Sequence, residues 1–333
     1  MENNLPFVSV IIPCRNEESF ISKFLDSVIS QDYPKERIEI LVIDGMSEDR
    51  TREIVKGYIK KYPFIKILDN LNEFTPFGLN IGVKKSKGEI IIRMDAHATY
   101  KRDYVSKCIK YLKEYNTENI GGVIKTIPSK NTLTAKTVAF SLSHFFGAGT
   151  SYFRIGSKES REVDTVFGGC YKREIFEKIG LFNEKLIRSQ DIEFNKRLRK
   201  TGGKILLFPE IIAYYYPQST LFSFFRHNFL DGIWTTYPLK FGIKIFSLRH
   251  LIPLFFVLSS IFSLILSLFF KNFFFLFLFI VFNYLFLNFL FSFFISLREK
   301  DFRYFFLMPI TFFLRHFGYG LGSIFGLFKI LLK

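Results

Sequence analysis

Cysteine is scarce in this sequence, with three residues in 333: Cys14, Cys108 and Cys170. They form no C-x-x-C pair, so the sequence indicates neither a zinc site nor a disulfide framework, and we expect reduced thiols in a cytosol. No G-x-G-x-x-G follows the first predicted strand and no G-x-x-x-x-G-K-[ST] occurs, which disfavours dinucleotide-binding and P-loop proteins. The N-terminus MENNLPFVSVII lacks a basic region and a long apolar run, so we expect no cleaved signal peptide.

Positive charge is abundant, since the formal net charge is +16. Such a balance suits nucleic acid, a membrane surface or a polyanionic substrate. We expect no nucleic-acid partner, because the basic residues are scattered and no nucleic-acid-binding motif is present. Hydrophobicity is uneven: residues 1–220 have the composition of a soluble α/β protein, whereas 251–297 is nearly all Phe, Leu, Ile and Val. The second region is too long for a small soluble core and predicts a membrane segment.

Short apolar runs rich in β-branched residues alternate with helical patterns over the first hundred residues. The runs predict four strands, at Phe7–Ile12, Ile38–Ile43, Ile65–Leu68 and Ile90–Ile92. Helices are predicted between them, at Phe20–Ile29, Thr51–Tyr62 and Phe77–Lys85. This alternation is typical of βαβ units and a largely parallel sheet.

Acidic residues follow three of these strands: Glu17 the first, Asp44 the second and Asp95 the fourth. Ligands of parallel sheets bind at the carboxyl ends of the strands. Carboxylates gathered there repel one another unless a cation or a hydrogen-bonded ligand is present, which favours a metal-assisted diphosphate site. Asp95 and His97 point the same way on an extended backbone and can share a divalent cation. A D-x-H pair alone is also compatible with an ordinary polar strand end.

Five motifs in this order resemble family 2 glycosyltransferases: VIIPCRNE (10–17), VIDGMSEDRT (42–51), RMDAH (93–97), VDTVFGGC (163–170) and SQDIEFN (189–195) with RLRKTGG (197–203). The resemblance covers about residues 7–235. It is strongest to the membrane-associated β-glycosyltransferases of succinoglycan-type exopolysaccharide assembly. It implies an α/β GT-A domain, a Rossmann-like nucleotide-diphospho-sugar transferase fold, followed by C-terminal transmembrane helices.

The resemblance also assigns the donor side. Glu17 and Asp44 would hold the nucleoside of a nucleotide-diphospho-sugar, with UDP-sugars favoured, because a carboxylate accepts several hydrogen bonds. Asp95 would also bind the donor. Pro13, Arg15 and Asn16 of the first loop would line the donor site. Alternatively, Glu17 is an acid that complements a helix dipole, and Asp44 is a turn residue before Gly45.

The family's D-x-D position is occupied by Asp95 and His97. The resemblance implies Mn²⁺ or Mg²⁺ bridging the diphosphate, and the imidazole shifts the preference towards Mn²⁺. Asp191 occupies the position of the family's catalytic base, which deprotonates the acceptor hydroxyl in a single inverting displacement. Glu193 is the second candidate for the base, and Asp191 also fits a plain helix N-terminal acid.

Acceptor residues are implied in two places. Gly168, Gly169 and Cys170 fall in the family's acceptor-side loop, although a plain turn explains the glycines equally well. Gln190 stands beside the base, and further on the resemblance suggests contacts of the diphosphate or of lipid phosphates with Arg226, His227 and Trp234. The polymer-gripping Gln-x-x-Arg-Trp motif is absent, which favours non-processive transfer.

Two apolar stretches, Leu251–Phe270 and Asn272–Leu297, predict a transmembrane hairpin. Basic residues flank it on both sides, so the positive-inside rule places both flanks and the catalytic domain in the cytosol. The segment 304–332 is apolar but carries Arg315 and His316, and predicts either a third span or an interfacial helix followed by a shorter segment. The predicted organisation is a catalytic domain (1–218), an amphipathic interfacial region (219–249), the hairpin (250–298) and a third membrane-embedded segment (299–333).

The sequence as a whole predicts a multi-pass protein of the cytoplasmic membrane that transfers a sugar to a lipid-linked or glycan acceptor in polysaccharide or glycoconjugate assembly. Membrane lipid and the two substrates are its expected partners. The alternative is a non-catalytic membrane subunit that binds nucleotide sugar within a glycan-assembly complex. A nucleotidyltransferase of related fold is disfavoured, because Pro13-Cys-Arg-Asn-Glu17 does not supply the basic, glycine-rich signature that such enzymes need.

Overall fold

The computed structural model describes residues 5–332 and contains a nine-stranded mixed sheet. Its strands are β1 (Val8–Cys14), β2 (Ile38–Asp44), β3 (Ile65–Asp69), β4 (Ile90–Arg93), β5 (Ala98–Tyr100), β6 (Asn119–Thr126), β7 (Arg161–Glu162), β8 (Cys170–Lys172) and β9 (Ile205–Tyr215). Eight of them follow the order β3-β2-β1-β4-β8-β6-β9-β5, and β7 pairs with β9.

The first four strands form the parallel half of the sheet that the alternating pattern predicts. β1 and β2 are buried along nearly their whole length, as expected of strands covered on both faces. Their register places Cys14 beside Asp44 and Asp44 beside Asp69, so these strands end at one edge. The other half departs from the prediction of a largely parallel sheet, because β8 runs antiparallel to β4 and β5 runs antiparallel to β9.

Thirteen α-helices occur in residues 5–332. Those before the last sheet strand are α1 (Ile21–Ile29), α2 (Thr51–Ile59), α3 (Thr75–Lys85), α4 (Tyr104–Glu114), α5 (Leu133–Ser143), α6 (Phe145–Ala148), α7 (Tyr152–Ile155), α8 (Glu174–Ile179) and α9 (Gln190–Lys200). The others are α10 (Leu221–Thr236), α11 (Leu248–Leu266), α12 (Lys271–Glu299) and α13 (Arg303–Leu331).

The chain divides into two compact units. The first comprises the residues up to Lys125 together with Tyr152–Tyr216, and the second comprises Thr126–Ser151 and the chain from Pro217 onward. The predicted catalytic domain of residues 1–218 therefore ends close to an observed boundary, but a segment within it belongs to the second unit. This segment carries α5 and α6.

In the second unit, helices α11 and α12 are long and apolar enough to cross a membrane, and most of their surface is uncovered. They pack against each other, as a hairpin requires. Helix α13 is one continuous helix, so the alternative of an interfacial helix followed by a shorter segment does not describe it. It packs along α10, and at Gly322 an added Cβ would lie 2.0 Å from the carbonyl oxygen of Phe229. The glycines of α13 therefore permit close helix packing.

The two ionisable residues in the middle of α13 are held by the protein. The guanidinium of Arg315 donates to the carbonyl of Gly147 and, at 3.3 Å, to Oδ1 of Asn228. Nε2 of His316 donates to the carbonyl of Phe146 at 2.8 Å, which leaves Nδ1 to accept from Tyr284 at 3.2 Å. These bonds satisfy the backbone of the turn around α6 and let α13 continue through its polar residues.

Candidate active site

The loops that follow β1 and β2 are joined by hydrogen bonds. Asn16 donates its backbone N–H to Oγ of Ser47 at 2.9 Å, and its side-chain oxygen accepts from the backbone of Glu48 at 2.9 Å. The backbone N–H of Glu17 donates to Oγ1 of Thr51 at 2.7 Å. Asn16 has φ of +54°, a left-handed conformation that asparagine tolerates better than most residues. These contacts hold the backbone of the loop that carries Glu17 in place.

Asp44 is fully buried at the end of β2. One carboxylate oxygen accepts from Oγ of Ser47 at 2.6 Å, and the other accepts from Arg52 at 2.6 Å. Arg52 also binds Asp69, at 2.7 Å. The protein therefore uses both oxygens of Asp44 to order the second loop.

Pro13 and Arg15 flank the same region. Pro13 lies within β1 and is aligned with Ile43 of β2. Arg15 pairs with Glu73, and its guanidinium lies 3.8 Å from Glu48. The predicted donor loop thus forms one connected patch around the ends of β1 and β2.

Arg93 joins two of the predicted functional carboxylates. Its guanidinium lies 3.2 Å from Oδ1 of Asp95 and 3.8 Å from Oδ2 of Asp191, and its side chain is 10% exposed. Burial lowers the pKa of Arg93, but the charges of the two aspartates outweigh burial and raise it, so the group remains a cation. Nε of Arg93 and its Nη1 make no hydrogen bond within residues 5–332. One buried cation thus faces both the predicted metal-side residue and the predicted base.

His97 and Glu17 form the second contact across the site, with Nδ1 of His97 3.3 Å from Oε1 of Glu17. Because a carboxylate only accepts, this contact assigns a proton to Nδ1, so in the neutral imidazole the lone pair is on Nε2. Burial lowers the pKa of His97, but the hydrogen bond and charge of Glu17, together with the charge of Asp95, outweigh it, so the net direction is upward. The His97 ring also meets the ring of Tyr215 edge-on, with centroids 5.3 Å apart.

The residues present fit a divalent cation that is held jointly with substrate. Oδ2 of Asp95 and Nε2 of His97 have no hydrogen-bond partner within the described chain, so each is available as a ligand. No group of three or more His, Cys, Asp or Glu side chains suited to a metal occurs within residues 5–332. A cation here would therefore need further oxygens, which a diphosphate supplies.

The predicted acceptor-side loop lies against the end of β4. Gly168 and Gly169 have φ of +70° and +108°, and the carbonyl of Gly169 accepts from the backbone of Arg93 at 3.0 Å. A Cβ on Gly168 would lie 2.5 Å from the carbonyl oxygen of Arg93, so only glycine fits. Cys170 is fully buried in β8, which leaves it no exposed side-chain atom to offer an acceptor.

The start of α9 presents Asp191. Ser189 lies two residues before it with φ of +61°, and Asp191 is 30% exposed. Gln190 is buried, and its Oε1 has no hydrogen-bond partner among residues 5–332. Glu193 is instead bound to Arg197 at 2.7 Å. The geometry therefore favours Asp191 over Glu193 as a base that can reach a substrate.

The residues predicted to contact diphosphate or lipid lie on α10 of the second unit. Arg226 is exposed. His227 contacts Gln218 at 3.0 Å and Asp231 at 3.2 Å, so its imidazole is engaged within its own unit. Trp234 meets Tyr237 edge-on, with ring centroids 5.7 Å apart.

Sequence reasoning missed the role of Arg93. The sequence indicated Arg93 only as part of the RMDAH motif. Its contact with Asp191 connects β4 with a helix about a hundred residues later, and no local pattern predicts such a contact. Its position two residues before Asp95, at the end of a buried strand, is the signal that could have revealed it. An arginine there has to find a carboxylate or remain buried without a counter-charge.

The sequence is similar to a family of known proteins. The family model described as "Glycosyl transferase family 2" matches residues 9–180. A Methanococcus voltae protein, dolichyl N-acetyl-alpha-D-glucosaminyl phosphate 3-beta-D-2,3-diacetamido-2,3-dideoxy-beta-D-glucuronosyltransferase, is 33% identical over 234 residues, which are 68% of this chain and 72% of the relative. The succinoglycan biosynthesis protein ExoA of Rhizobium meliloti is 26% identical over 225 residues, 67% of each chain.

Solved structures share the fold. A mannosyltransferase of Pyrobaculum calidifontis, solved with GDP-Man and Mn²⁺, superposes with a TM-score of 0.54 at 21% identity over 69% of this chain and 63% of the solved chain. S. aureus TarS residues 1–349, solved with UDP-GlcNAc, gives 0.51 at 18% identity over 68% and 66%. This chain thus spans just under two thirds of each solved chain, and at these identities the likeness establishes the GT-A fold alone.

Proposed function

Because the chain belongs to glycosyl transferase family 2 and is a glycosyltransferase, we propose that it transfers a sugar from a nucleotide-diphosphate donor to a lipid-linked acceptor, with inversion at the anomeric carbon. The observation that carries the proposal is the buried guanidinium of Arg93 between Asp95 and Asp191. Arg93 lies beside both Asp95, the predicted metal ligand, and Asp191, the candidate base. Donor and acceptor would meet between these two carboxylates.

Asp95 and His97 would hold Mn²⁺ or Mg²⁺ together with the donor diphosphate. Such a cation would supply Lewis-acid stabilisation to the departing nucleoside diphosphate. Glu17 would orient His97 through Nδ1, so that the lone pair of Nε2 would be available to the cation. Two solved relatives carry Mn²⁺, which supports a divalent ion over none.

Asp191 would act as the general base. Its carboxylate would accept the proton of the acceptor hydroxyl while that oxygen attacks the anomeric carbon, so an α-linked donor would give a β-glycoside. Arg93 keeps Asp191 in place at 3.8 Å without a bidentate bond, which leaves carboxylate oxygen free for the substrate proton. The loop with Gly168, Gly169 and Cys170 would bring the acceptor to the end of β4 through backbone contacts, with Gln190 beside it.

The donor would lie on the patch around the ends of β1 and β2. Glu17 and Asn16 line this patch, Asp44 and Arg15 order its loops, and Pro13 fixes the exit of β1. We favour a UDP-sugar, following the resemblance of the motifs. The relatives with solved structures bind GDP-Man, UDP and UDP-GlcNAc, so measurement has to identify the nucleobase of the donor.

We further propose that α11 and α12 cross the cytoplasmic membrane and keep the catalytic unit in the cytosol. The support is their length and apolarity and the basic residues at both flanks of the pair, such as Arg249 and Arg298. The M. voltae relative is named for a dolichyl-phosphate-linked substrate, which supports a lipid-linked acceptor. We also favour non-processive addition, because the polymer-gripping Gln-x-x-Arg-Trp motif is absent from the sequence.

Donor turnover in purified membranes tests this function. Asp191→Asn is isosteric and removes the base, so we expect sugar transfer to fall by about 10²–10⁴-fold, the usual contribution of general-base catalysis. Glu193→Gln is the matched control and should retain most activity, because Glu193 is bound to Arg197. Transfer by Asp191→Asn at the wild-type rate would refute the assigned base. Nucleotide binding without transfer, across many donors and acceptors, would favour a non-catalytic subunit.

A further inference from the structure

Arg154, in α7 of the first unit, has a guanidinium without a carboxylate counter-charge in the described part of the chain. Its Nη1 is shielded from solvent and has no hydrogen-bond partner, and within residues 5–332 it forms no ion pair. By contrast Arg15, Arg52 and Arg93 each lie beside a carboxylate. A desolvated cationic N–H without an acceptor costs free energy, which a bound anion would offset.

The surroundings of Arg154 connect it to the candidate active site. Its guanidinium carbon lies 5.3 Å from the ring centroid of Tyr215 and 5.2 Å from that of Phe153. The Tyr215 ring is 5.3 Å from the ring of His97 and 5.9 Å from that of Phe167, which opens the glycine loop. Arg154 therefore belongs to the aromatic cluster that contacts both the predicted cation ligand and the acceptor-side loop.

Aromatic neighbours suit an arginine that binds an external anion. Contact with a ring face restrains the guanidinium without consuming its N–H groups, which lie in the guanidinium plane. A carboxylate neighbour would instead occupy those donors. The cluster thus orients Arg154, and within residues 5–332 it leaves Nε and Nη2, which are not shielded as Nη1 is, ready to donate.

We propose that Arg154 binds a phosphate group of a substrate during sugar transfer. The guanidinium fork matches phosphate oxygens in geometry and charge. The inference rests on the proposed function, in which two substrates carry phosphate: the donor through its diphosphate, and the acceptor through the phosphate that links it to lipid. In both cases Arg154 would bind a phosphate ester beside Asp95 and His97, the proposed cation ligands.

The test uses the full chain in lipid nanodiscs with three probes: inorganic pyrophosphate, UDP and farnesyl phosphate, each in the presence of Mn²⁺. Arg154→Met removes the charge and keeps an unbranched side chain, and Arg154→Lys keeps the charge. Arg50→Met is the matched control, because Arg50 is 72% exposed, pairs with Glu53 and loses the same charge. Melting temperatures establish that each variant is folded.

We expect Arg154→Met to weaken at least one phosphate probe by about 10- to 100-fold, the range for a charge-assisted hydrogen bond, while Arg154→Lys retains part of the affinity and Arg50→Met changes none. A loss confined to farnesyl phosphate assigns the acceptor phosphate, and a loss confined to UDP assigns the donor. Wild-type affinity of Arg154→Met for all three probes overturns the inference. If the wild type transfers no sugar but Arg154→Met still loses pyrophosphate, the phosphate site stands and the proposed function falls.

Discussion

The hydrogen bond between Glu17 and His97 makes a sharp prediction about cation binding. Replacing Glu17 by Gln removes the carboxylate that holds the proton on Nδ1, and an amide can instead donate to Nδ1. The proton would then move to Nε2 and block the lone pair that faces the cation. Glu17→Gln should therefore weaken Mn²⁺ binding, with His97 itself still present.

The structure also sets the size of this effect. Removing a partner that orients a metal ligand typically costs 10- to 100-fold in affinity. The Glu17–His97 contact is long, at 3.3 Å, and the imidazole is 38% exposed, so we expect the lower end of the range. About tenfold corresponds to about 1.4 kcal/mol in binding free energy.

The assay is a titration with Mn²⁺, followed by electron paramagnetic resonance of the free ion, on the full chain with saturating UDP. Glu18→Gln is the matched control: it removes the neighbouring carboxylate, which in the described part of the chain accepts only from the backbone N–H of Arg50. The double variant of Glu17→Gln and His97→Ala should bind no more weakly than His97→Ala alone, since the effect of Glu17 passes through His97. A tenfold loss that persists in the His97→Ala background would refute the reasoning, as would wild-type affinity in Glu17→Gln.

Two further predictions concern stability. Burial raises the pKa of Glu39, but hydrogen bonds from Lys87, Ser9 and Lys66 outweigh burial and lower the folded-state pKa. The ionised carboxylate therefore stabilises the fold fully above the unfolded pKa of about 4.3, and this stabilisation is lost as pH falls through the folded pKa. Glu39→Gln should therefore lower the melting temperature at pH 7, with a deficit that shrinks below about pH 4; an equal deficit at every pH would contradict this. Gly322→Ala should lower the melting temperature because its Cβ would meet the backbone of α10, whereas Gly57→Ala, with open space around it, should not; equal effects of the two would contradict the helix-packing account.

The parallel half of the fold could be predicted because its determinants are local. Ile90–Ile92 is a β-branched run too short for a helix, and Asp95 follows it, so strand type and the position of the acid are fixed within a few residues. The same holds for Ile38–Ile43 and Asp44. Strands of this kind bring their ends to one edge, so the grouping of these acids followed from topology.

The remaining features depend on contacts distant in sequence. β5 has three residues, Ala98–Tyr100, too few for a periodic pattern, and it forms only because Tyr215 and its neighbours pair with it. No local rule connects Arg93 with Asp191 or assigns α5 to the second unit. There Thr311 of α13 donates to Thr137 of α5 at 3.1 Å. These pairings are set by how elements pack, which a single sequence does not encode in its periodicity.

The first unit is discontinuous in sequence, and this governs how the protein can be dissected and recombined. A truncation after Tyr216 would retain Thr126–Ser151 without its packing partners, exposing the side chains of Leu133 and Phe140 that rest on the cluster around Phe312. A soluble catalytic fragment therefore requires a linker that joins Lys125 to Tyr152. Chimeras between relatives have to exchange this segment and the C-terminal helices as one cassette.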